Sequence, residues 1–195
     1  ILNGKNIKEY ELGSLRRIFG AVFQDYRNFA LSVNENLMCH ECDDEDKRKA
    51  EIALKQSGAW EKISTFPEKG DTVLTREFEK DGAGLSGGEN QKVSTARLFA
   101  KDFQFAVLDE PSSALDPVAE SKMYDALIEG TKGKTVIYIS HRLSSATRSD
   151  NILVFNKGVL AEQGNHEALM SNNGYYQEMF TLQASGYKEV FEDEE

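Results

Sequence analysis

Hydrophobic and polar positions divide the second half of the chain into short strands and helices. The apolar runs "FQFAVL" (103–108) and "TVIYIS" (135–140) have the length and composition of buried strands, and a helical pattern separates them. Asp116 and Pro117 predict where that helix begins, since aspartate is a good N-cap and proline suits the first helical position. Two more apolar runs, "NILVF" and "VLAEQ", flank residues 156–158. This alternation predicts an α/β fold with a parallel sheet.

The first half of the chain follows a different pattern. "IFGAVF" (18–23) predicts another buried strand, and a turn at Asn3-Gly4 precedes it. The stretch after it is charged and mostly helical in pattern, and Gly58 is a candidate helix stop. We therefore expect a single domain made of core strands, a helical subdomain, an α/β core and an acidic tail (1–24, 25–100, 101–183 and 184–195).

Composition is typical of a globular domain and argues against nucleic acid as a partner. The 195 residues are 39% hydrophobic and 29% charged, and the net charge of -10 disfavours binding to a polyanion. The ending "EVFEDEE" predicts a solvated acidic tail. No apolar run approaches the roughly 20 residues needed to span a bilayer, and the first residues do not resemble a signal peptide. We expect a cytosolic location.

The two cysteines form the pattern "CHEC", with Cys39 and Cys42 around His40 and Glu41. A closed zinc site needs four ligands, and the sequence offers no second cysteine pair. We favour two reduced thiols on a helical stretch, with a structural zinc site as the alternative.

Polar residues follow three of the predicted strands directly. Gln24 follows the first, Asp109 and Glu110 follow the second, and His141 follows the third. Ligands of open α/β sheets gather outside the carboxyl ends of the strands. One acid suits Mg²⁺, the next can activate water, an imidazole can contact phosphate, and an amide oxygen can join the metal shell. The set indicates nucleotide hydrolysis, although each residue alone also has a purely structural interpretation.

A glycine cluster, "GLSGGENQ" (84–91), precedes a predicted helix. Glycine is costly in ordered structure, so a cluster indicates a turn or a ligand that needs bare backbone. If the cluster opens the helix "ENQKVSTARLFA", its amides and the helix dipole form an anion site.

Together these motifs resemble the nucleotide-binding domain of ATP-binding cassette (ABC) transporters. "VFQD" resembles the Q-loop, "LSGGE" the signature motif, "FAVLDEP" the Walker B strand, "SALD" the D-loop and "ISHRLS" the switch region. They occur in the order and at the spacing of that family, over nearly the whole chain before the acidic tail. The resemblance implies an α/β fold of the P-loop NTPase (RecA-like) type, here an incomplete sheet lobe with an inserted helical subdomain.

The resemblance also implies roles for single residues around ATP and Mg²⁺. Asp109 would hold Mg²⁺ with help from Gln24, Glu110 would polarise the attacking water, and His141 would contact the γ-phosphate. The remaining positions would face the nucleotide of a second, head-to-tail cassette: Ser86, Gly87, Gly88 and Glu89 in the signature motif, and Asp116 in the D-loop. Glu89 stands where the common form has glutamine, which adds a negative charge near phosphate.

One element of the family is missing from the sequence. A phosphate-cradling loop needs G-x-x-x-x-G-K-[ST] between a strand and a helix, and the chain contains none. We interpret "GTKGKT" (130–135) as a turn, and the G-x-G-x-x-G match at 82–87 as an accidental overlap with the signature motif. The chain then resembles a cassette truncated at its N-terminus, in which neighbouring strands expose apolar faces. We expect little or no ATP hydrolysis by this piece alone.

The stretches around the signature motif and after residue 158 resemble exporters, in which a membrane domain precedes the cassette. The implied function is to power export at the cytoplasmic face of the cell membrane, with a second cassette and a transmembrane domain as partners. Phe29 would contact the membrane domain, or else pack in the core. Long coiled-coil relatives are excluded because no sustained heptads follow Gln24. A non-catalytic half that presents its signature motif to a partner, and a soluble ABC ATPase, stay open as alternatives.

Overall fold

The computed structural model describes residues 1–75 and 82–192, the last seven of them by their backbone alone. The chain divides into two compact units, Ile1–Ile139 and Ser140–Glu195. Most of the segment "TREFEKD" (75–81) lies outside the described residues, and so do the last three residues of the predicted acidic tail. The part of that tail up to residue 192 belongs to a helix.

The first unit contains six α-helices, two 3₁₀ helices and three strands within its described residues. Before the glycine cluster come a 3₁₀ helix (Ile7–Glu9), α1 (Leu12–Arg17), β1 (Phe19–Val22), α2 (Val33–Met38), α3 (Asp44–Gln56), α4 (Trp60–Ile63) and a 3₁₀ helix (Lys69–Asp71). After it come α5 (Gly87–Phe99), β2 (Phe105–Asp109), α6 (Pro117–Gly130) and β3 (Thr135–Ile139). The predicted helical character of residues 25–100 is therefore confirmed.

The three strands of the first unit form a parallel sheet in the order β1-β2-β3. Val22 pairs with Leu108, and Leu108 pairs with Tyr138, so the carboxyl ends of the strands lie at one edge. Between the sheet and helices α5 and α6 lies an apolar core that includes Val22, Leu108 and Leu127. A second core lies among the helices of residues 25–100 and contains Leu37, Leu54, Ile63, Leu74 and Val93.

The second unit contains α7 (Leu143–Ala146), β4 (Ile152–Asn156), β5 (Val159–Gly164), α8 (His166–Ser171) and α9 (Tyr175–Glu192). β4 and β5 pair antiparallel, so the prediction that these two runs continue a parallel sheet is wrong. Only Lys157 and Gly158, both with positive φ, lie between the paired ends, and parallel neighbours need a much longer crossover.

Side-chain caps fix where the long helices of the first unit begin. α2, α3 and α5 each begin with a capping box, in which the N-cap side chain and the N3 side chain exchange hydrogen bonds with each other's backbone. The predicted start of α6 is confirmed, because the Asp116 carboxylate accepts from the amides of Val118 and Ala119. The Gly58 stop and the turn at residues 130–135 are confirmed too.

The "CHEC" segment is not helical, and this part of the prediction is wrong. α2 ends at Met38, Cys39 takes a left-handed conformation as its C-cap, and α3 begins after Asp43. The segment is therefore the connection between two helices, with Cys39 exposed and Cys42 half-buried, both as free thiols. Among the described residues, no group of three or more His, Cys, Asp or Glu side chains is arranged to hold a metal.

Strand β3 exposes apolar side chains to an unusual degree. Ile137 is 57% exposed and Ile139 48%, and among the described residues β3 pairs only with β2. Strands of parallel sheets are normally covered on both faces. Apolar side chains of β3 are therefore accessible to solvent.

Gly20 tests the packing of the sheet against α5. An added Cβ there would collide with the Leu98 side chain and lie 3.2 Å from Cγ of Phe103, both buried. We expect Gly20→Ala to destabilise the fold by about 1–3 kcal/mol through overpacking. Denaturant unfolding checks this, with Gly84→Ala as control, since a Cβ at Gly84 meets nothing within 4 Å. Equal stabilities of the two variants would contradict the packing argument.

Candidate functional site

The sheet register brings three of the predicted site residues to one edge. Asp109 is the last residue of β2, and Glu110 follows it. Gln24 lies two residues beyond Val22, the last residue of β1, and parallel pairing puts both strand ends on the same side. Gln24 is exposed, whereas Asp109 and Glu110 are half-buried. The register therefore places an amide and two carboxylates at the same edge of the sheet.

An open cleft lies beside this edge. It has a volume of about 640 Å³ and is lined by Gln24, Asp25, Tyr26, Arg27 and Ser113. Among these residues, only Gln24 was predicted from the sequence as a site residue. Asp25 and Ser113 belong to the Q-loop and D-loop motifs themselves, and Tyr26 and Arg27 follow the Q-loop directly, which was the available signal for them.

The backbone of Glu110 has a conformation that is rare for a residue with a side chain. Its φ is +45°, in the left-handed region. Its amide donates to the carbonyl of Ile139 at 3.0 Å, and its own carbonyl accepts from the amide of Ser113 at 3.2 Å. Such conformations cost on the order of 1–3 kcal/mol and persist where the surroundings fix them, often at functional sites.

Gln91 supplies a further part of these surroundings, and sequence analysis missed it. The side chain is fully buried. Nε2 of Gln91 donates to the Glu110 carbonyl at 3.2 Å and to Oγ of Ser113 at 3.3 Å, and Oε1 accepts from the amide of Ala114 at 3.0 Å. The sequence contains one signal for Gln91. Its polar side chain lies on the same predicted helix face as Thr95, one turn later, and Leu98, two turns later.

The signature motif forms the N-terminus of α5. The helix begins at Gly87, two residues earlier than the predicted "ENQKVSTARLFA", so both glycines lie in its first turn. Ser86 is the N-cap, and its Oγ accepts from the amide of Glu89 at 3.3 Å. The Glu89 carboxylate accepts from the amide of Ser86 at 2.8 Å. First-turn amides lack carbonyl partners within the helix, so Gly87 and Gly88 present donors at its positive end.

The surroundings of Gly87 and Gly88 differ, so glycine at the two positions needs different explanations. A Cβ on Gly88 would lie 3.0 Å from Cδ2 of Leu115 and 3.4 Å from the carbonyl oxygen of Ala114, so packing against the D-loop limits that position. A Cβ on Gly87 would meet only the Cβ of Ala114, at an ordinary 3.6 Å. Alanine would favour the helix at Gly87. Packing therefore does not explain the glycine at position 87.

Hydrogen bonds connect the segment after Gln24 with the signature motif. Oη of Tyr26 donates to the carbonyl of Gly87 at 2.8 Å. The Asn28 side chain donates to the side chain of Asn90, which in turn donates to the carbonyl of Leu85 at 3.0 Å. Burial raises the pKa of Tyr26 above its ordinary value of 10.0, further from neutral pH, where the phenol is protonated in any case and able to donate. The segment after the Q-loop and the signature region of one chain are thus in direct contact.

Asp116 has a local structural task. Besides capping α6, its exposed carboxylate has a pKa below the ordinary value of 3.8, because the amides of Ala119 and Val118 donate to the ionised form. Nothing in this arrangement bears on the predicted contact across a cassette dimer, which stays a prediction.

His141 lies at the beginning of the second unit. It is exposed, and its carbonyl accepts from Nε2 of Gln183 at 2.7 Å. Oε1 of the same glutamine accepts from the amide of Leu143 at 2.9 Å, so α9 holds the backbone on both sides of Arg142. The predicted contact of the His141 ring with phosphate stays a prediction.

Comparison with known proteins identifies the class. A family model described as "ABC transporter" matches residues 1–113. Because this match covers more than half of the chain, the chain belongs to the ABC transporter family. The resemblance and the predicted fold class, an α/β fold of the P-loop NTPase type, are confirmed.

Relatives are exporters. The chain is 37% identical over 186 residues to the ATP-dependent lipid A-core flippase of Haemophilus influenzae (strain 86-028NP), covering 95% of this chain and 31% of the flippase. It is 36% identical over 183 residues to a putative multidrug export ATP-binding/permease protein of Staphylococcus aureus (strain bovine RF122 / ET3-1), covering 94% and 31%. A solved bacterial Atm1-family ABC exporter with ATP bound aligns with a TM-score of 0.82 and 33% identity, over 93% of this chain and 31% of that one. The chain thus spans about a third of the length of these relatives.

The cap at Asp116 predicts a pH-dependent stability. Folding lowers the pKa of the Asp116 carboxyl. The charged cap therefore stabilises the fold fully at pH values above the pKa of Asp116 in the unfolded chain, and this stabilisation is lost as the pH falls through the pKa of Asp116 in the folded chain. We expect the Tm of Asp116→Ala to lie below that of the unsubstituted chain near neutral pH, and the gap to narrow below about pH 4. Circular dichroism measures both. Asp116→Asn is the control, because its amide oxygen accepts without titrating. A gap that stays constant down to about pH 3 would contradict the role of the charge.

Proposed function

We propose that this chain is the ATP-hydrolysing cassette of an ABC exporter, and that ATP bound between it and a second, head-to-tail cassette drives transport. The observation that carries the proposal is the convergence of Gln24, Asp109 and Glu110 at one sheet edge. The unusual backbone of Glu110 supports it, since such conformations concentrate at functional sites. The exporter names of the relatives support the choice within the family.

The oxygen donors at the sheet edge suit Mg²⁺. Asp109 offers a carboxylate and Gln24 an amide oxygen, and Mg²⁺ is usually held by one or two carboxylates together with substrate phosphates and water. A site of this kind needs no cluster of three protein ligands. Asp109 would hold the ion and Gln24 would complete its shell. When bound, Mg²⁺ would neutralise charge on the β- and γ-phosphates.

Glu110 and His141 have proposed roles in the reaction itself. Glu110 would accept a hydrogen bond from the attacking water and orient it toward the γ-phosphate. His141 would contact the γ-phosphate oxygens as a hydrogen-bond donor. Phosphoryl transfer depends mainly on positioning and charge stabilisation, so the fixed backbone of Glu110 is itself a contribution to the reaction.

The signature motif would serve the nucleotide of the second cassette. Ser86, Gly87 and Gly88 would present a hydroxyl and two amides to its γ-phosphate at the positive end of α5. Glu89 would stand beside that phosphate, and its bond to the amide of Ser86 keeps its charge at the helix end. Asp116 would face the same opposite site from the D-loop.

An exposed apolar patch around Gln24, made of Phe23, Phe29 and Leu31, suits the transmembrane domain as partner. Phe23 is 66% exposed, Phe29 61% and Leu31 44%, so the alternative of core packing for Phe29 is wrong. The buried Asn36 side chain fixes the backbone of Phe29 in this patch. It accepts from the amide of Phe29 at 2.8 Å and donates to the carbonyl of Phe29 at 3.0 Å. Among the described residues no helix is long and apolar enough to cross a membrane. Docking through Phe29 would hold the chain at the cytoplasmic face of the cell membrane.

The central test is Glu110→Gln in the complete exporter. We expect kcat for ATP to fall by about 10²-fold or more, because a neutral amide polarises the attacking water far less than a carboxylate does, while ATP binding is retained. Steady-state hydrolysis and equilibrium ATP binding measure the two quantities. Glu129→Gln, an exposed glutamate at the end of α6, is the matched control. Unchanged turnover in Glu110→Gln would remove Glu110 from its proposed role.

The missing phosphate-cradling sequence leads to a second proposal. Without G-x-x-x-x-G-K-[ST], these 195 residues offer neither its lysine nor its loop amides to the β- and γ-phosphates. We expect the purified 195-residue chain to show no ATP turnover above background, whether Mg²⁺ is present or not. A phosphate-release assay measures it, with the Glu110→Gln chain as blank. Magnesium-dependent turnover that this substitution removes would contradict the expectation.

A further inference from the structure

Every hydrogen bond of the Gln91 side chain described above goes to one short segment. The partners are the carbonyl of Glu110, the hydroxyl of Ser113 and the amide of Ala114. Gln91 lies in the second turn of α5, just after the glycines of the signature motif. The side chain is fully buried, so water cannot replace a lost partner without a rearrangement.

The segment 110–114 depends on this contact for its shape. Glu110 has a left-handed backbone, and the chain turns back there, since the amide of Ser113 donates to the Glu110 carbonyl. Gln91 forms hydrogen bonds with both ends of this turn. Its NH₂ group donates to the carbonyl of Glu110, and its side-chain oxygen accepts from the amide of Ala114. A side chain that satisfies both ends holds the turn in one geometry. Its loss would remove the side-chain acceptor of the Ala114 amide and one of two donors to the Glu110 carbonyl, which would keep only its bond from the amide of Ser113.

Packing joins the same two elements one turn earlier along α5. Gly88 lies so close to the D-loop that a Cβ would be 3.0 Å from Leu115 and 3.4 Å from the Ala114 carbonyl. The N-terminus of α5 therefore cannot shift relative to the segment 110–115 without breaking either this packing or the Gln91 bonds. Densely packed interfaces of this kind transmit displacement.

We propose that Gln91 is a positioning residue that holds the Glu110 backbone, and that it ties the signature motif to the candidate catalytic carboxylate of the same chain. The inference rests on the proposed function, in which the signature motif and Glu110 of one chain serve two different nucleotides. Gln91 is then a physical link between the two nucleotide sites, contained within a single cassette. It touches neither nucleotide, so its removal changes the reaction step and leaves nucleotide affinity intact.

Two substitutions in the complete exporter test the proposal. Gln91→Leu removes both halves of the amide, and Gln91→Glu keeps the acceptor for Ala114 but removes the donor to Glu110. We expect both to lower kcat roughly 10- to 100-fold, the size of effect that a small misplacement of a catalytic group produces. The KM for ATP and the equilibrium affinity for ATP should stay within about twofold in both variants.

Thr95→Val is the matched control. Thr95 is fully buried on the same helix, and its hydroxyl donates to the carbonyl of Gln91 and contacts Met123, but no hydrogen bond described for it reaches the segment 110–114. We expect this variant to keep the kcat of the unsubstituted exporter even if its Tm falls. A loss of kcat as large as that of Gln91→Leu would show that general destabilisation explains the effect, and would overturn the proposal.

Hydrogen exchange separates this inference from the proposed function. The amide of Ser113 should exchange faster in both Gln91 variants than in the unsubstituted protein or in Thr95→Val, and the amide of Ala114 should exchange faster in Gln91→Leu, which alone removes its acceptor. This readout needs no ATP turnover. An exporter without ATPase activity would refute the proposed function, while the exchange result would still decide on Gln91. Unchanged exchange in 110–114, or a changed KM with an intact kcat, would refute the positioning role.

Discussion

Parallel pairing of three short strands is the constraint on which the candidate site depends. β1 brings Gln24, and β2 brings Asp109 and Glu110, to one edge only because Val22 is in register with Leu108. A shift by one residue would exchange the two faces of a strand and would bury its polar end or expose its apolar residues. The core between the sheet and helices α5 and α6 holds that register, with Val22 and Leu108 both nearly inaccessible to solvent. The chemistry at the edge is therefore a consequence of apolar packing several residues away.

The first two turns of α5 act as a shared support for every motif of the first unit. The capping box of Ser86 and Glu89 sets where the helix begins. Tyr26 joins it to the segment after Gln24, and Gln91 joins it to the segment after Asp109. Three motifs that are separated along the sequence are thus fixed to one rigid element. This explains why glycine, whose usual effect in a helix is to weaken it, is tolerated in its first turn: the surrounding bonds hold the backbone in place.

Local signals predicted the features that local physics decides. The strands at residues 103–108 and 135–140, the proline start of α6 and the helical character of residues 25–100 follow from periodicity and capping, and the structure has them. The antiparallel pairing of β4 and β5 was missed because alternation alone does not reveal that a two-residue link rules out a crossover. The "CHEC" segment was misassigned because charged residues on both sides continue a helical pattern past the left-handed Cys39.

The parts of the site that sequence did not reveal depend on contacts between distant residues. The left-handed backbone of Glu110 and the three bonds of Gln91 arise from the approach of α5 to the turn after β2, and no periodicity encodes that approach. Exposure of Phe29 was likewise undecidable from its type, since phenylalanine is common in cores. Motif order carried the identification of the family, whereas the supporting side chains became visible only in three dimensions.

The hydrogen bonds between the Asn36 side chain and the backbone of Phe29 affect the free energy with which a partner would bind to Phe29. A loop that must be ordered on binding loses conformational entropy, on the order of 0.5–1.5 kcal/mol for each immobilised side chain. Here the side-chain amide of Asn36 already fixes the main chain through hydrogen bonds to the backbone of Phe29, Leu31 and Ser32. The backbone carbonyl of Asn36 in turn accepts from Nε of Arg97 at 2.8 Å. A partner that covers the aromatic ring would find a preorganised surface. If a partner displaced that ring, α2 would move with it, because Asn36 of α2 is bonded to the backbone of Phe29.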